Sequence, residues 1–322
     1  MKRWTIRVVL LLTLTYVLGS LLALPPYALR VPSNPVTTSP ADVGIPFEDI
    51  VIRVDGFELA GWWIPAQRPV ATMVFLHGAG ANRTSAFFNS LAFYRAMHDL
   101  RINVVAFDHR HHGNSSRGPT PRLGMGDPEW RDAAAVMAWL DTNAQAVGPR
   151  IIAGVSMGGA TAIQALAHGS SADAAVLFDP ALDNQDALAQ GAVIFTGLPA
   201  SLFRLYAWSA QRFWGLPKND GIQQGLELTT PTLIIQDSDD PITRLPFAQA
   251  LAEANPSIQI TEVPKIAQGS ACIANKGRWA THAAGFACHP NWAVEQVSEF
   301  LNHALGLNLS LSRATLDSNQ SF

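Results

Sequence analysis

The chain of 322 residues predicts an α/β architecture, a mostly parallel central sheet flanked by helices, with a helical insertion and an apolar amino-terminal segment. Three observations carry that prediction. Short continuous apolar runs alternate with longer amphipathic stretches from residue 70 onward, as strands covered on both faces alternate with helices. A composition 48% hydrophobic and 15% charged suits a large buried core. One interval of about 50 residues interrupts the rhythm, far beyond the dozen or more that a parallel crossover needs.

In chain order, Lys2, Arg3 and Arg7 precede an uncharged apolar stretch from Val8 to Leu24. Its length, about 17 residues, lies between a cleaved signal and a full span. Small residues are poorly spaced for cleavage, which favours an uncleaved signal-anchor over residues 1–24. The amino-terminal charges then put that end in the cytoplasm and the body on the extracytoplasmic side, or secreted or periplasmic if the segment is cut. Residues 25–46 hold six prolines with Ser, Thr and Asn, and read as an extended stalk. The main domain is expected over 47–306.

It opens with a hairpin, Ile50–Val54 and Phe57–Ile64 about the turn Asp55-Gly56. Strand-like runs follow at 72–76, 103–107, 151–155, 174–178, 232–235 and 258–263, with helices expected near 84–99, 129–145, 157–168, 244–254 and 292–305. The interval 180–230 is expected to form a helical cap. Its aromatic residues, among them Phe203, Tyr206, Trp208, Phe213 and Trp214, are expected mainly to pack the cap on the body, a few lining an apolar acyl pocket. The tail 307–322 is Ser-rich, polar towards its end and expected to be mobile.

A net charge of −3 supplies no basic field for nucleic acid. The two cysteines, Cys272 and Cys288, form an even pair that is more often bridged in an exported protein. Asp108-His109-Arg110-His111-His112 has three histidines, but matches no closed zinc signature, so neither a metal nor another cofactor is expected. Asp108 and Arg110 are candidates for a mutual buried ion pair.

Chemistry is concentrated at Gly154-Val155-Ser156-Met157-Gly158, a G-x-S-x-G sequence between an apolar run and a helical stretch. Small residues two before and two after the serine let strand and helix close tightly, pushing the hydroxyl outward. A nucleophilic serine needs a base, an orienting acid and oxyanion donors, each just past the carboxyl end of a strand. His77-Gly78-Ala79-Gly80 follows the run at 72–76, and the N–H groups of Ala79 and Met157 are candidate oxyanion donors. Asp237, Asp239 and Asp240 follow the run at 232–235. Asp240 is the preferred acid and Asp239 the alternative. His282 is the preferred base, after the last strand and before the final helix. His289, beside Pro290 at the start of that helix, is the rival.

From about Ile50 to Leu301 these pieces resemble the α/β-hydrolase family, and most closely its membrane-anchored or exported esterase- and lipase-like branch. The resemblance rests on Asp55-Gly56-Phe57-Glu58-Leu59-Ala60-Gly61-Trp62, His77 to Gly80, Phe107 to Ser115, and the elbow Gly154 to Gly159. The family's order Ser, Asp, His and its acid motif, aligned on Asp237 to Arg244, imply Asp240 as catalytic acid. Its carboxyl-terminal pattern, with His282, Phe286, Pro290 and Phe300-Leu301, implies His282 as base. Residues 265–281 depart from the family as a long insertion, which a Cys272–Cys288 bridge would staple to the final helix.

The resemblance implies a serine hydrolase that cleaves a small-molecule or lipid-like ester through an acyl-enzyme, tethered to a membrane by its amino-terminal segment. A peptidase or thioesterase would use the same triad. A catalytically silent, membrane-tethered binding protein is the alternative from another class.

Overall fold

The computed structural model describes residues 2–217 and 221–310. Eight strands form one sheet in the order β1-β2-β4-β3-β5-β6-β7-β8. They are β1 Glu48–Val54, β2 Phe57–Ile64, β3 Ala71–Leu76, β4 Ile102–Phe107, β5 Arg150–Val155, β6 Ala174–Phe178, β7 Thr232–Gln236 and β8 Ile258–Glu262. The β1–β2 hairpin pairs Val54 with Phe57 across Asp55-Gly56, both at positive φ, so its strands close on a two-residue turn. β2 joins β4 antiparallel, and every pairing from β4 onward is parallel.

Because successive side chains alternate across a strand, the apolar runs supply two cores at once. On one face Met73, Phe75, Val104, Ile151, Ala153 and Val176 meet α2 (Ser90–Asp99) and α8 (Pro290–Leu305), through Phe93, Met97, Val294 and Val297. On the other, Val74, Leu76, Val105, Ile152 and Leu177 meet α3 (Glu129–Trp139), α4 (Met157–Ala167) and α7 (Leu245–Ala254). Two of the expected helices are shorter than predicted. The expected 84–99 begins at Ser90, after a turn-rich loop, and the expected 129–145 ends at Trp139.

Between β6 and β7 stand α5 (Asn184–Thr196), a 3-10 turn Ala200–Phe203, α6 (Arg204–Phe213) and a short turn Gly221–Gly225. Not all of its aromatic residues pack inward as the sequence predicts. Phe203 and Tyr206 are buried, whereas Trp208 and Phe213 are 46% and 58% exposed.

Helix α1 runs Arg3–Ala28, 26 residues, with a five-residue π-type turn at Gly19–Ala23. It is long and apolar enough to cross a membrane, with a mean hydropathy of 2.2 in its most apolar window. The Pro-rich segment that follows is not the free tether expected for 25–46. Its first residues continue α1, and Leu29, Val31 and Ile45 are buried on the domain. Proline removes N–H donors while leaving carbonyls, and side chains of the domain satisfy several of these. Asn82 donates to the carbonyls of Asn34 and Pro35, Arg117 to those of Val31 and Pro32, and Arg95 to that of Val43.

At the other end, residues 307–310 do not behave as a loose tail: Leu309 is buried and exchanges two hydrogen bonds with the side chain of Asn302. The remainder of the predicted tail, 311–322, lies outside the described residues.

Candidate active site

Ser156 occupies the single residue between β5 and α4, with φ 53° and ψ −116°. That backbone is strained for a residue with a side chain, and crowding holds it there. A methyl group on Gly154 would come within 2.3 Å of the Gly158 carbonyl oxygen, and one on Gly158 within 2.1 Å of that of Leu76. Strand and helix approach so closely that only glycine fits at either position.

His282 Nε2 lies 3.1 Å from Ser156 Oγ, and its Nδ1 lies 2.8 Å from Asp240 Oδ2 and 3.1 Å from Oδ1. With the imidazole proton on Nδ1, the ring donates to the carboxylate and accepts from the serine hydroxyl. Asp240 is anchored from its other side. Oδ1 accepts the N–H groups of Ile242 and Thr243, and Oδ2 accepts the Thr243 hydroxyl. Burial acts to raise its pKa, but His282 and these donors outweigh it and hold the carboxyl below its usual range.

The alternatives lie elsewhere. Asp239 is half-exposed, 3.8 Å from Lys265 Nζ, and His289 sits at the start of α8. Chemically, an imidazole joined to a hydroxyl and an ionised carboxylate in this way can take the hydroxyl proton and have its own positive charge stabilised.

The loop His77–Gly80 passes over the serine, since a methyl on Gly78 would lie 3.5 Å from Ser156 Cβ. It is braced from below by neutral histidines. Gly80 N–H donates to His112 Nε2 at 3.2 Å, His77 Nδ1 donates to the Gly78 carbonyl, and His77 Nε2 accepts the His109 N–H. Burial lowers the pKa of His77 to about 4 and that of His112 to about 3. His77 and His112 are therefore neutral hydrogen-bonding elements at neutral pH, while the His109 ring only packs, in edge contacts at 4.7 Å (His109) and 5.0 Å (His112) about His77.

Asp108 does not pair with Arg110 as the sequence suggests. Asp108 bonds Arg83 and Arg110 bonds Asp132 and Asp55, because Gly113 lets the loop fold back until Asn114 N–H reaches the Asp108 carboxylate.

Several supporting residues escaped the sequence reading. Lys276, in the insertion, is buried and donates to the carbonyls of Phe87, His282 (3.2 Å) and Ala283 (3.3 Å). No motif marks it. Asp179, just past β6, accepts the Asp237 N–H at 2.7 Å. Burial and the adjacent charges of Asp240 and Asp237 push its pKa well up. Its place after an apolar strand was a usable signal. Cys272 and Cys288 are bridged, with Cα atoms 5.2 Å apart, closing a loop that contains both Lys276 and His282.

The serine aminopeptidase S33 family matches residues 67–220. Among solved structures, an esterase from Pyrococcus furiosus is similar with a TM-score of 0.71 at 22% identity, over 86% of this chain and 98% of that one. The chain has the α/β-hydrolase fold.

A thermophilic esterase from Thermogutta terrifontis resembles this chain with a TM-score of 0.56 at 18% identity, covering 80% of this chain and 99% of its own. A bacterial membrane phospholipase A, described as a virulence factor, matches it with a TM-score of 0.56 at 20% identity over 94% and 99%. No curated protein matches the sequence.

Within this fold the serine is roofed over. One apolar cluster joins Met157 and Ala160 of α4 and Ile242 beside Asp240 to Ala187 and Leu188 of α5, Ala210 of α6 and Trp279 of the insertion. Leu29, at the foot of α1, belongs to the same cluster.

Proposed function

We propose that the protein is a serine esterase acting on lipophilic carboxylic esters, with Ser156 as nucleophile, His282 as base and Asp240 as orienting acid. The observation that carries this reading is the unbroken hydrogen-bonded line from Ser156 Oγ through His282 to Asp240, on a strained elbow beneath an apolar roof. Ser156 Oγ attacks the ester carbonyl while His282 Nε2 takes its proton. The oxyanion that forms is bound by the N–H groups of Ala79 and Met157, the latter at the positive end of α4. The tetrahedral intermediate collapses, the C–O bond to the alcohol breaks, and His282 returns the proton to that alcohol. Water then enters, loses a proton to His282, and hydrolyses the acyl-enzyme by the same route.

The apolar roof favours an acyl chain over a charged substrate. Helix α1 and the charges that precede Val8 support a membrane tether with the domain on the extracytoplasmic side, and the disulfide agrees with an oxidising compartment. On this reading the chain divides into an anchor, a docked Pro-rich connector, and a hydrolase domain carrying a cap.

The matched aminopeptidase family favours one second reading, a peptidase using the same three residues. Fluorophosphonate labelling and hydrolysis of p-nitrophenyl esters of graded chain length, beside an aminoacyl p-nitroanilide, separate the two. Labelling and ester turnover are expected in the wild type and are lost by about 10⁴-fold or more in Ser156→Ala. Turnover confined to the anilide would replace the esterase by the peptidase. A folded wild type that takes no label would leave a silent binding protein.

A further inference from the structure

The outer surface of the cap carries large apolar side chains in the open. Phe195 is 59% exposed, Leu198 49%, Leu202 43%, Trp208 46% and Phe213 58%. On α6 the residues Arg204, Trp208 and Arg212 recur every fourth position, so two cations flank an indole along one exposed stripe. Between Ala187 and Pro217 the sequence has no carboxylate. Apolar and aromatic residues bordered by arginine are the composition of helices that lie in a lipid interface.

The docking of α1 on this cap fixes how deep that surface lies. Tyr16 OH donates to the Leu202 carbonyl, Ser209 Oγ donates to that of Ser20, and Trp214 Nε1 donates to that of Leu21. These contacts fall inside the apolar stretch Val8–Leu24, not below it. At 1.5 Å per residue the stretch is about 25 Å long, and Tyr16 stands about 12 Å above Leu24. An apolar stretch about 25 Å long cannot fill a hydrocarbon layer of about 30 Å and leave half its length outside. Any bilayer that takes Val8–Leu24 therefore takes the cap surface beside Tyr16 as well.

We propose that the cap face formed by Phe195, Leu198, Leu202, Trp208 and Phe213 is immersed in the leaflet from which α1 emerges, with Arg212, beside the contact to Leu21, at the headgroups and the longer reach of the Arg204 side chain directed towards them. The occupant of this surface is lipid. The two arms of the cap, Asn184–Thr196 and Ala200–Phe213, meet at 118°, so their junction at Leu198 forms a wedge. The wedge connects to the chemistry. Phe195 packs edge-on against Trp279 at 5.8 Å, Phe87 meets the same indole at 6.3 Å, and Trp279 lies 6.0 Å from the His282 ring. Phe195, Trp279 and His282 thus form a chain of ring contacts, with Phe87 beside Trp279, from the immersed face to the base, and by this proposal a membrane-dissolved acyl chain reaches Ser156 along it without crossing water.

The proposal rests on α1 as a membrane span and, in its last step, on the esterase reading. Its test uses the full chain in nanodiscs of phosphatidylcholine and phosphatidylglycerol, with or without brominated acyl chains. Subtracting the emission of Trp208→Phe from that of the wild type isolates Trp208. Quenching of that signal by brominated lipid, with no effect of aqueous iodide, is the expected result. Quenching by iodide alone overturns the proposal, as does protection from both, which would put protein on this face.

In the triple variant Leu198→Ser, Leu202→Ser, Phe213→Ser, turnover of soluble p-nitrophenyl acetate is expected to stay unchanged while hydrolysis of a long-chain ester dissolved in the disc falls about tenfold. Equal retention of both activities would overturn the delivery route. A wild type with Trp208 quenched by lipid but no ester turnover would refute the esterase reading and leave the immersed surface standing.

Discussion

The ammonium of Lys276 lies 3.2 Å from the carbonyl oxygen of His282 and 3.3 Å from that of Ala283, and it also bonds the Phe87 carbonyl. One buried cation thus ties the loop that carries the imidazole to the loop after the His77–Gly80 turn. Three carbonyls converge on it, and the contacts to those of His282 and Ala283 are buried.

Replacement of this lysine by methionine keeps the side chain's length and removes its donors. Buried acceptors left without a partner cost about 1–3 kcal/mol. Lys276→Met is expected to lower the melting temperature, and to reduce kcat for the ester more than it changes KM, because the imidazole is displaced and not the pocket. Burial also lowers the pKa of Lys276 to about 8 from 10.5, against the raising influence of Asp179 and Asp240. The unfolded chain then binds the proton more tightly, so stability rises with pH between about 8 and 10.5 as the buried charge is lost. Thermal melts across that window should show the rise in the wild type and a shallower one in the variant.

The Cys272–Cys288 bridge spans 16 residues, for which loop-closure entropy in the unfolded chain corresponds to about 3 kcal/mol. Cys272→Ser with Cys288→Ser is expected to lose stability of that order in chemical denaturation. Activity at a temperature where both forms are folded should fall too, since the loop released holds Lys276 and His282. Unchanged melting and turnover after reduction would show the staple to be idle.

Glu129, at the start of α3, is fully buried and accepts the N–H groups of Gly124 and Gly126 at 2.8 and 3.2 Å. Burial outweighs these donors and raises its pKa to about 7. The native state therefore holds a proton that the unfolded state releases above about pH 4.5, and stability falls as pH rises from there through 7. Glu129→Gln should flatten this limb and stabilise the protein at pH 8, read from denaturation midpoints at pH 5 and 8.

His77 and His112 act in the opposite sense. Their native pKa values, about 4 and about 3, lie below that of an unfolded histidine, so their contribution is full above about pH 6.5 and is lost as pH falls towards 3. His112→Ala should weaken this acid sensitivity. It should also lower kcat about tenfold, since the N–H of Gly80 loses the acceptor that positions the loop over Ser156. Inactivation profiles from pH 4 to 8 measure the first effect and steady-state kinetics the second.

The sequence by itself determined the sheet, the hairpin and the neighbourhood of the serine, because each is written in local patterns. A run such as Met73-Val74-Phe75-Leu76 suits a strand covered on both faces, Asp55-Gly56 selects a tight turn, and Gly154 and Gly158 leave room for a close strand-to-helix junction. It preferred Asp240 and His282 over Asp239 and His289 without separating them, since a 42-residue separation is silent about distance, and the structure brings the preferred two together.

Only the tertiary structure decided which charges meet, since ion pairs are contacts between loops and carry no period. Asp108 found Arg83 and Arg110 found Asp132, and Lys276 bears no mark in the sequence of the carbonyls it gathers. It likewise turned the Pro-rich segment from a tether into a strap and the cap's aromatic residues outward, because whether an apolar side chain is buried depends on the element opposite it. For Trp208 and Phe213 no described element lies opposite, while Leu29 meets the roof of the active site.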